Sequence, residues 1–386
     1  MRIARILTRL NLGGPARQVQ ASDPILRERG HEVRLFAGTP EPGEGDLFEE
    51  FERDGHDVVR VPHLVRGVSP VRDFRAKRFL EQELSKFDPD IVHTHASKAG
   101  ALGRRAASKL RAGLVHTFHG HVLEGYFGDA VSAMLITQER RMCARTDRVV
   151  AVSHSTAEDL LRLEVLEEER LVVIPPGINL GEFVRIERSS KPAGALRKEL
   201  ELADDAVLVG VLGRLAEVKR VDWAVDVFEL LASRYSTMHL AFVGDGSERE
   251  ALETRIADLD SELASRVHVM GARQDLVEVM RSLDVLLSTS RTEGMPVAMI
   301  EAAAAGLPVV GTPVGGVPEL VANERTGYLG ETRDELAFGL DRLLSDPDER
   351  RAAGHRGRLR VEKKHSALRL ADSLNAVYDA VCEERS

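Results

Sequence analysis

The densest set of groups suited to chemistry lies in residues 289–320, TSRTEGMPVAMIEAAAAGLPVVGTPVGGVPEL. Glu293 and Glu301 stand eight positions apart with Gly294, Met295 and Pro296 between them. Proline fits the first helical position, where its missing N–H is no loss, so a helix over 296–305 leaves Glu293 on the preceding loop and Glu301 in the second turn. Gly294 and Met295 then offer backbone N–H groups at a helix N-terminus, where orphan donors and the helix dipole favour an anion. A phosphate there would have one carboxylate in reach of a sugar hydroxyl and another in reach of a ribose diol. A bare E-x7-E reads as a solvated helix carrying two unrelated acids. The Gly-Met-Pro insert and the flanking strand ends favour the ligand reading.

A second element is GVLGRLAEVKR, residues 210–220. A strand over 206–212 ends at Gly213, so Arg214 projects from its carboxyl edge and Lys219 opens the next helix. Two fixed cations at a strand-end crevice suit a diphosphate, Arg as a fork and Lys as a point charge. The alternative is a surface pair answering Glu217 or Asp222. Gly244, in the strand end Val243-Gly244-Asp245-Gly246, is placed to line a nucleotide pocket through its backbone. Near the start, Gly13 and Gly14 precede Pro15, which lets backbone approach a ligand closely or simply makes a tight turn. The spacing is not G-x-G-x-x-G.

Histidines gather at His93, His95, His116, His119 and His121, at or near two strand ends. His119 stands just past the strand 113–118, where an active-site imidazole would sit in a parallel α/β fold. Two H-x-H pairs could supply four zinc ligands. Alternate residues on parallel strands bring histidines together without any metal, and that reading is preferred. The Asp-x-Asp pairs Asp88/Asp90, Asp258/Asp260 and Asp346/Asp348 could hold a divalent ion. Their positions at helix ends and amino edges read as caps and turns, so no metal site is expected.

These groups need a frame. With 386 residues, the chain exceeds what one core organises, so two domains are expected. Hydrophobic residues at 43% and charged residues at 30% exclude wholesale disorder. Short β-branched runs near 2–8, 31–37, 57–61, 90–95, 113–118, 147–152 and 171–174 alternate with helical periodicity. The pattern restarts with strands near 206–212, 238–243, 266–270, 284–288, 307–311 and 326–329. The fold expected is α/β, two Rossmann-like doubly wound parallel-sheet domains facing a deep interdomain cleft, with ligand loops beyond the carboxyl strand ends. The first domain spans 1–186 and the second 187–365. Between them RIERSSKPAGA reads as linker, and a last helix over 366–386 packs back onto the first domain.

A net charge of −9 argues against a nucleic-acid partner. Two cysteines, Cys143 and Cys382, suit a reducing compartment. The N-terminal apolar patch is broken by Arg5 and Arg9 and is too short for a signal segment, and no run is apolar enough to span a bilayer. A cytoplasmic protein is expected, touching the inner face of a membrane only from its surface.

Taken with VHTHASKAGALGR, HTFHGH, TDRVVAVS, VIPPGI, FVGDG and GTPVGGVPELV, the E-x7-E element and Gly213-Arg214 through Lys219 make the chain resemble retaining glycosyltransferases of family 4, with the GT-B fold. The resemblance implies that Arg214 and Lys219 neutralise a donor diphosphate and that Glu301 holds the ribose hydroxyls. It implies that Glu293, with the Gly294-Met295 backbone and the adjoining Pro296 and Val297, meets the donor sugar and phosphate. His119 would sit beside the sugar, Gly13 and Gly14 would close over phosphates and acceptor, and Arg273 would meet the base. The activity implied is metal-independent transfer from a nucleotide sugar, a UDP-sugar foremost, to a lipid-linked, cell-envelope or polysaccharide acceptor by a front-face route. A small acceptor such as an inositol phosphate, or a silent nucleotide-sugar-binding subunit, are the alternatives. Segments 38–47 and 120–128 are where family members differ, so they bear on the acceptor.

The first half carries as many basic as acidic side chains, and the second half carries the acidic excess. Within the neutral half, RGVSPVRDFRAKRF and SKAGALGRRAASKLR are locally basic. Such helices either meet anionic lipid headgroups or are ordinary solvated faces.

Overall fold

Strands that are covered by helices on both faces need apolar side chains throughout, and the runs found in the sequence have that character. The computed structural model describes residues 1–41, 44–120, 123–124, 128–188 and 193–385. It contains two parallel sheets. The first is built from β1 (Arg2–Leu7), β2 (Glu32–Ala37), β3 (Asp57–Arg60), β4 (Ile91–His95), β5 (Gly113–Phe118), β6 (Arg148–Ala151) and β7 (Leu171–Val173), in the order β3-β2-β1-β4-β5-β6-β7. The second is built from β8 (Val207–Leu212), β9 (Met238–Val243), β10 (Val267–Gly271), β11 (Val285–Ser288), β12 (Val309–Gly311) and β13 (Gly327–Leu329), in the order β10-β9-β8-β11-β12-β13. All thirteen runs expected as strands are strands. Each sheet reverses its winding once, at β1/β4 and at β8/β11, and the crevice beyond the carboxyl ends at such a reversal is where open α/β sheets bind ligands.

The chain forms two compact units, Met1–Asn179 with His365–Ser386, and Leu180–Lys364. The first unit is closed by its last helix, Ala367–Arg385, whose Leu370, Leu374, Val377, Tyr378 and Val381 share a core with Ile3, Ile91 and Val115. The second has one large core in which β8 and β9 residues meet the helices Val221–Ala232 and Arg333–Ser345.

The division falls at Asn179, before the boundary expected at 186. Arg358 donates to the carbonyls of Val184 (3.1 Å) and Ile186 (2.7 Å), fastening the stretch after Leu180 to the second unit. Arg188 does the same to the carbonyls of Met280, Leu283 and Ala305, at 2.6–2.8 Å. Some of the segment read as linker is therefore built into a unit; its residues 189–192 lie outside the described residues. The helix Pro347–Lys364 was not expected at all. It buries only the small Ala353, Gly354 and Gly357 and a single larger side chain, Val361, so its sequence lacks the apolar stripe that marks a helix.

Candidate functional site

In the second unit the groups singled out in the sequence gather on the loops after β8, β9, β11 and β12. Lys219 closes a single 3-10 turn, Glu217–Lys219, rather than opening a helix. Arg220 follows with φ 44°, and the helix starts at Val221. That arrangement frees Arg220 to reach the β11 loop, donating to the carbonyls of Thr289 (2.8 Å) and Ser290 (3.0 Å) while its guanidinium lies 3.8 Å from the Trp223 ring centre. The Thr289 hydroxyl donates back to the carbonyls of Lys219 (2.9 Å) and Arg220 (2.8 Å). With the Arg291 N–H donating to the Val218 carbonyl (2.7 Å), these hydrogen bonds stitch the two loops together at the sheet's reversal point and hold the Lys219 backbone against the stretch leading to Glu293.

Across this seam Lys219 Nζ donates to Glu293 Oε1 at 2.5 Å, and the Ser290 hydroxyl donates to the same oxygen at 2.6 Å. The Lys219 side chain is 27% exposed and that of Glu293 12%, so the pair is screened yet open on the ammonium side. An ammonium has three donors, and Glu293 takes one. The Glu293 loop is held from behind by the β12 loop. Thr312 Oγ1 donates to the Ser290 carbonyl (2.6 Å) and the Gly316 N–H to the Gly294 carbonyl (2.7 Å). Gly315, at φ 53°, permits this contact, because a Cβ there would lie 1.7 Å from the Glu293 carbonyl oxygen. Gly244 does the same after β9, since a Cβ would lie 1.8 Å from the Gly213 carbonyl.

Met295 and Pro296 are buried, and the helix Val297–Ala304 starts one residue after the position expected. Pro296 is its N-cap, with its carbonyl accepting from the N–H groups of Met299 and Ile300. Glu301 is 5% exposed within that helix, whereas Gly213 and Arg214 are exposed at the end of β8. Arg273 follows the edge strand β10, and its guanidinium is engaged by both Asp275 oxygens at 2.8 Å and by Glu199 at 2.7 Å. Lys219 and Glu293 are therefore brought into contact, while Arg273 is committed to carboxylates of its own.

In the first unit, Gly13 in extended conformation leads into the helix Gly14–Glu28 from the end of β1, and the half-buried His119 stands at the end of β5. His119 Nε2 lies 3.0 Å from His95 Nδ1, and its Nδ1 lies 3.3 Å from the Gln18 amide. His95 Nε2 in turn receives Arg5 through Nη2 (3.0 Å) and Nε (3.3 Å). Arg5 is 1% exposed and donates to Asp23 (2.7 Å) and Ser22 (2.9 Å). Burial, and then the Arg5 charge, push His119 down to about 3; burial, then His93 and Arg5, push His95 well below the usual imidazole range. The other histidines have hydrogen-bonding duties, His93 with Tyr378 (2.6 Å) and Thr117 (2.7 Å), and His116 with Thr94 (2.8 Å). His121 lies outside the described residues, among which no group of three or more His, Cys, Asp or Glu is placed to hold a metal ion. Asp88 and Asp90 serve Arg2, and Asp346 caps the N–H groups of Asp348 and Glu349, as the turn reading expects.

Reading the sequence missed Ser290, Thr289 and Arg220 in the second unit and Arg5, Asp23 and Gln18 in the first. Arg5 did carry a signal, a charge in the middle of an apolar strand that is buried along nearly its whole length.

Comparison with known proteins bears on both units. The description Glycosyltransferase Family 4 matches residues 12–182, and Glycosyl transferases group 1 matches residues 206–346. The UDP-Gal:alpha-D-GlcNAc-diphosphoundecaprenol alpha-1,3-galactosyltransferase of Escherichia coli is 30% identical over 290 residues, 73% of each chain. A D-inositol 3-phosphate glycosyltransferase of Xylanimonas cellulosilytica is 32% identical over 353 residues, 85% of this chain and 82% of that one. Among solved structures, Anabaena Alr3699/HepE in complex with UDP and glucose superposes with a TM-score of 0.81 at 19% identity, covering 98% of this chain and 99% of the other. WaaG, a glycosyltransferase of lipopolysaccharide biosynthesis, gives 0.75 at 19% identity, covering 99% of each chain.

Proposed function

The chain belongs to glycosyltransferase family 4 and has the GT-B fold, and from that premise we propose that it is a retaining enzyme that moves a sugar from a UDP-sugar to a lipid-linked or polysaccharide acceptor without a metal ion. The observation that carries the reading is Lys219, held on the loop after β8 by Glu293, which the Ser290 hydroxyl steadies in turn, with the remaining ammonium N–H donors available to an anion. Cleaving a sugar–phosphate bond builds negative charge on the departing diphosphate. Lys219 and Arg214 stabilise that charge where it grows, which lowers the barrier to departure. The Gly294-Met295 backbone binds phosphate at the helix start, and Glu301 takes the ribose hydroxyls. The retained stereochemistry follows from a front-face route, in which a departing phosphate oxygen accepts the acceptor's proton. The glycosidase alternative requires two carboxylates roughly 5 Å apart across the anomeric carbon. The carboxylate Glu293 is instead engaged by a lysine.

The acceptor falls to the first unit. The stretch before and into the helix Pro70–Phe87 exposes Val68 (90%), Val71 (63%) and Phe74 (65%) among Arg66, Arg72, Arg75 and Arg78. This helix follows β3, so its first turn lies at the carboxyl edge, tied there by the 2.6 Å ion pair of Asp73 with Lys98. Exposed apolar side chains interleaved with cations fit an anionic lipid surface, and that supports a lipid-linked acceptor taken from the membrane. No described helix is long and apolar enough to cross a bilayer. The E. coli relative is named for a diphosphoundecaprenol acceptor, which is consistent with this reading. The inositol-phosphate relative supports the second reading, a small soluble acceptor.

A panel of UDP- and GDP-sugars tests the proposal by nucleotide release, in the presence of EDTA, with and without membrane extract. UDP release that needs extract, with a product of unchanged anomeric configuration by NMR, is the expected result. Release with inositol phosphate alone moves the assignment to the soluble acceptor. No release from any donor overturns the enzymatic reading in favour of a binding subunit.

A further inference from the structure

We infer that Arg5 and His95 are positioning residues that lock His119 as a neutral imidazole with its proton on Nδ1. The inference rests on the role beside the donor sugar that the family resemblance implies for His119, and adds to it the reason that a neutral ring is built there.

The polarity of the chain of contacts is set from its buried end. A guanidinium has donors only, so the lone pair that Arg5 faces must be on His95 Nε2. His95 then carries its proton on Nδ1, which points at His119 Nε2 at 3.0 Å. His119 Nε2 must accept, so its own proton is on Nδ1. The reverse assignment would set N–H against N–H at one of the two joints. Asp23 accepts from the Arg5 guanidinium at 2.7 Å, Ser22 takes a second guanidinium hydrogen, and the Ser22 hydroxyl donates to the Gln18 carbonyl at 2.8 Å. His93 stacks on His95 with ring centres 4.2 Å apart and is itself held by Tyr378 and Thr117. Of the chargeable groups packed about the two rings, Arg5 is cationic, Asp23 answers Arg5, and His93 and His116 are buried and bonded to hydroxyls. Gln18 completes the chain: its amide nitrogen lies 3.3 Å from His119 Nδ1, and a half-turn of the amide, which leaves its shape unchanged, presents the oxygen to Nδ1–H, the orientation this assignment requires.

The chemistry gives the lock a purpose. Positive charge builds on the sugar as the diphosphate departs, and an imidazolium beside it would oppose that charge. A neutral ring with Nδ1–H toward Gln18 can give that hydrogen bond to a sugar hydroxyl instead. Protonation of His119 requires a donor at Nε2, where His95 already points one, so the lock resists the acid that would switch an ordinary histidine.

The test is 15N NMR of the histidine-labelled full chain between pH 5 and 8, with His119 assigned by its loss in His119→Asn. The expected spectrum is a neutral Nδ1–H imidazole throughout. An Nε2–H tautomer, or a ring that protonates between pH 5 and 7, overturns the inference without reference to activity. Kinetics form the second arm. His95→Gln keeps an acceptor for Arg5 and a donor for His119 and is expected to keep the wild-type pH profile. His95→Leu is expected to lower kcat by ten- to a hundredfold, with little change in donor KM, and to add an acidic limb to the profile. Equal losses in His95→Gln and His95→Leu at every pH would show a packing role alone and refute the lock. If no donor is turned over, the enzymatic reading fails on its own, and the NMR arm still decides the tautomer.

Discussion

Replacing Lys219 by Met, which has similar length and no charge, isolates the charge from the volume of the side chain. A unit charge in contact with a phosphate oxygen at about 4 Å interacts by about 4 kcal/mol at the effective dielectric near a protein surface of about 20. Only the share of that attraction that grows as the diphosphate leaves enters the barrier. Two-thirds of it is about a hundredfold in rate and the whole of it about a thousandfold, the range seen when one preorganised donor is removed from an oxyanion site. The substitution also leaves Glu293 with the Ser290 hydroxyl on an oxygen that carried two donors, an anion next to a bound anion. Lys219→Met is therefore expected to lower kcat/KM for UDP release by about 10²–10³, with some of the loss in donor KM. Glu293→Gln in the same chain separates the two effects. If Glu293 serves only to hold Lys219, the double variant is no slower than Lys219→Met; if it also meets the sugar, the double variant is slower by a further factor. The fold should survive, since an ion pair exposed to 27% on one side contributes about 1 kcal/mol at most. A coupled nucleotide-release assay and a thermal melt suffice. Activity within tenfold of wild type in a Lys219→Met protein that melts normally would refute the electrostatic reasoning.

The buried histidines make stability depend on pH. His119 falls from 6.5 in the unfolded chain to about 3 in the fold, so between those values the unfolded chain binds more protons and stability is lost as pH falls. That one group costs about 2 kcal/mol by pH 5, and His93, His95 and His116 shift in the same direction, so the melting temperature should drop steeply between pH 7 and 5. Asp23, raised by burial against the pull of Arg5, works the other way and softens the slope without reversing it. Tyr378→Phe leaves buried His93 Nδ1 without its 2.6 Å partner and should cost about 1–3 kcal/mol by urea titration, whereas Tyr378→Ala should cost about 3–5 kcal/mol through the cavity it opens. Substituting Val68, Val71 and Phe74 by Ser should abolish co-sedimentation with phosphatidylglycerol vesicles while leaving turnover of a short-chain soluble acceptor intact. Vesicle binding insensitive both to these and to loss of Arg72, Arg75 and Arg78 would remove the membrane reading.

What the sequence determined by itself is everything that depends on local periodicity and on where a strand ends. A run such as Val207–Leu212, short, rich in valine and closed by Gly213, reads as a covered strand, its end at Gly213 puts Arg214 at a carboxyl edge, and the step from β11 to the helix Val297–Ala304 places Glu293 on a loop and Glu301 in the helix. The helix Pro347–Lys364 escaped because its buried face is made of small residues with no hydrophobic contrast. The partners escaped for a different reason. Lys219 and Glu293 are 74 positions apart, and Arg5 and His95 are 90 apart. Each pair meets because a sheet reverses at β8/β11 or at β1/β4 and sets two distant strands side by side. Before that pairing, Arg5 is only a charge interrupting an apolar strand. Afterwards it is a buried donor that sets the proton on a ring two hydrogen bonds away. Side-chain chemistry and spacing are local and can be read along a chain; the polarity of a buried hydrogen-bond network is a property of neighbours, and only the tertiary structure supplies those.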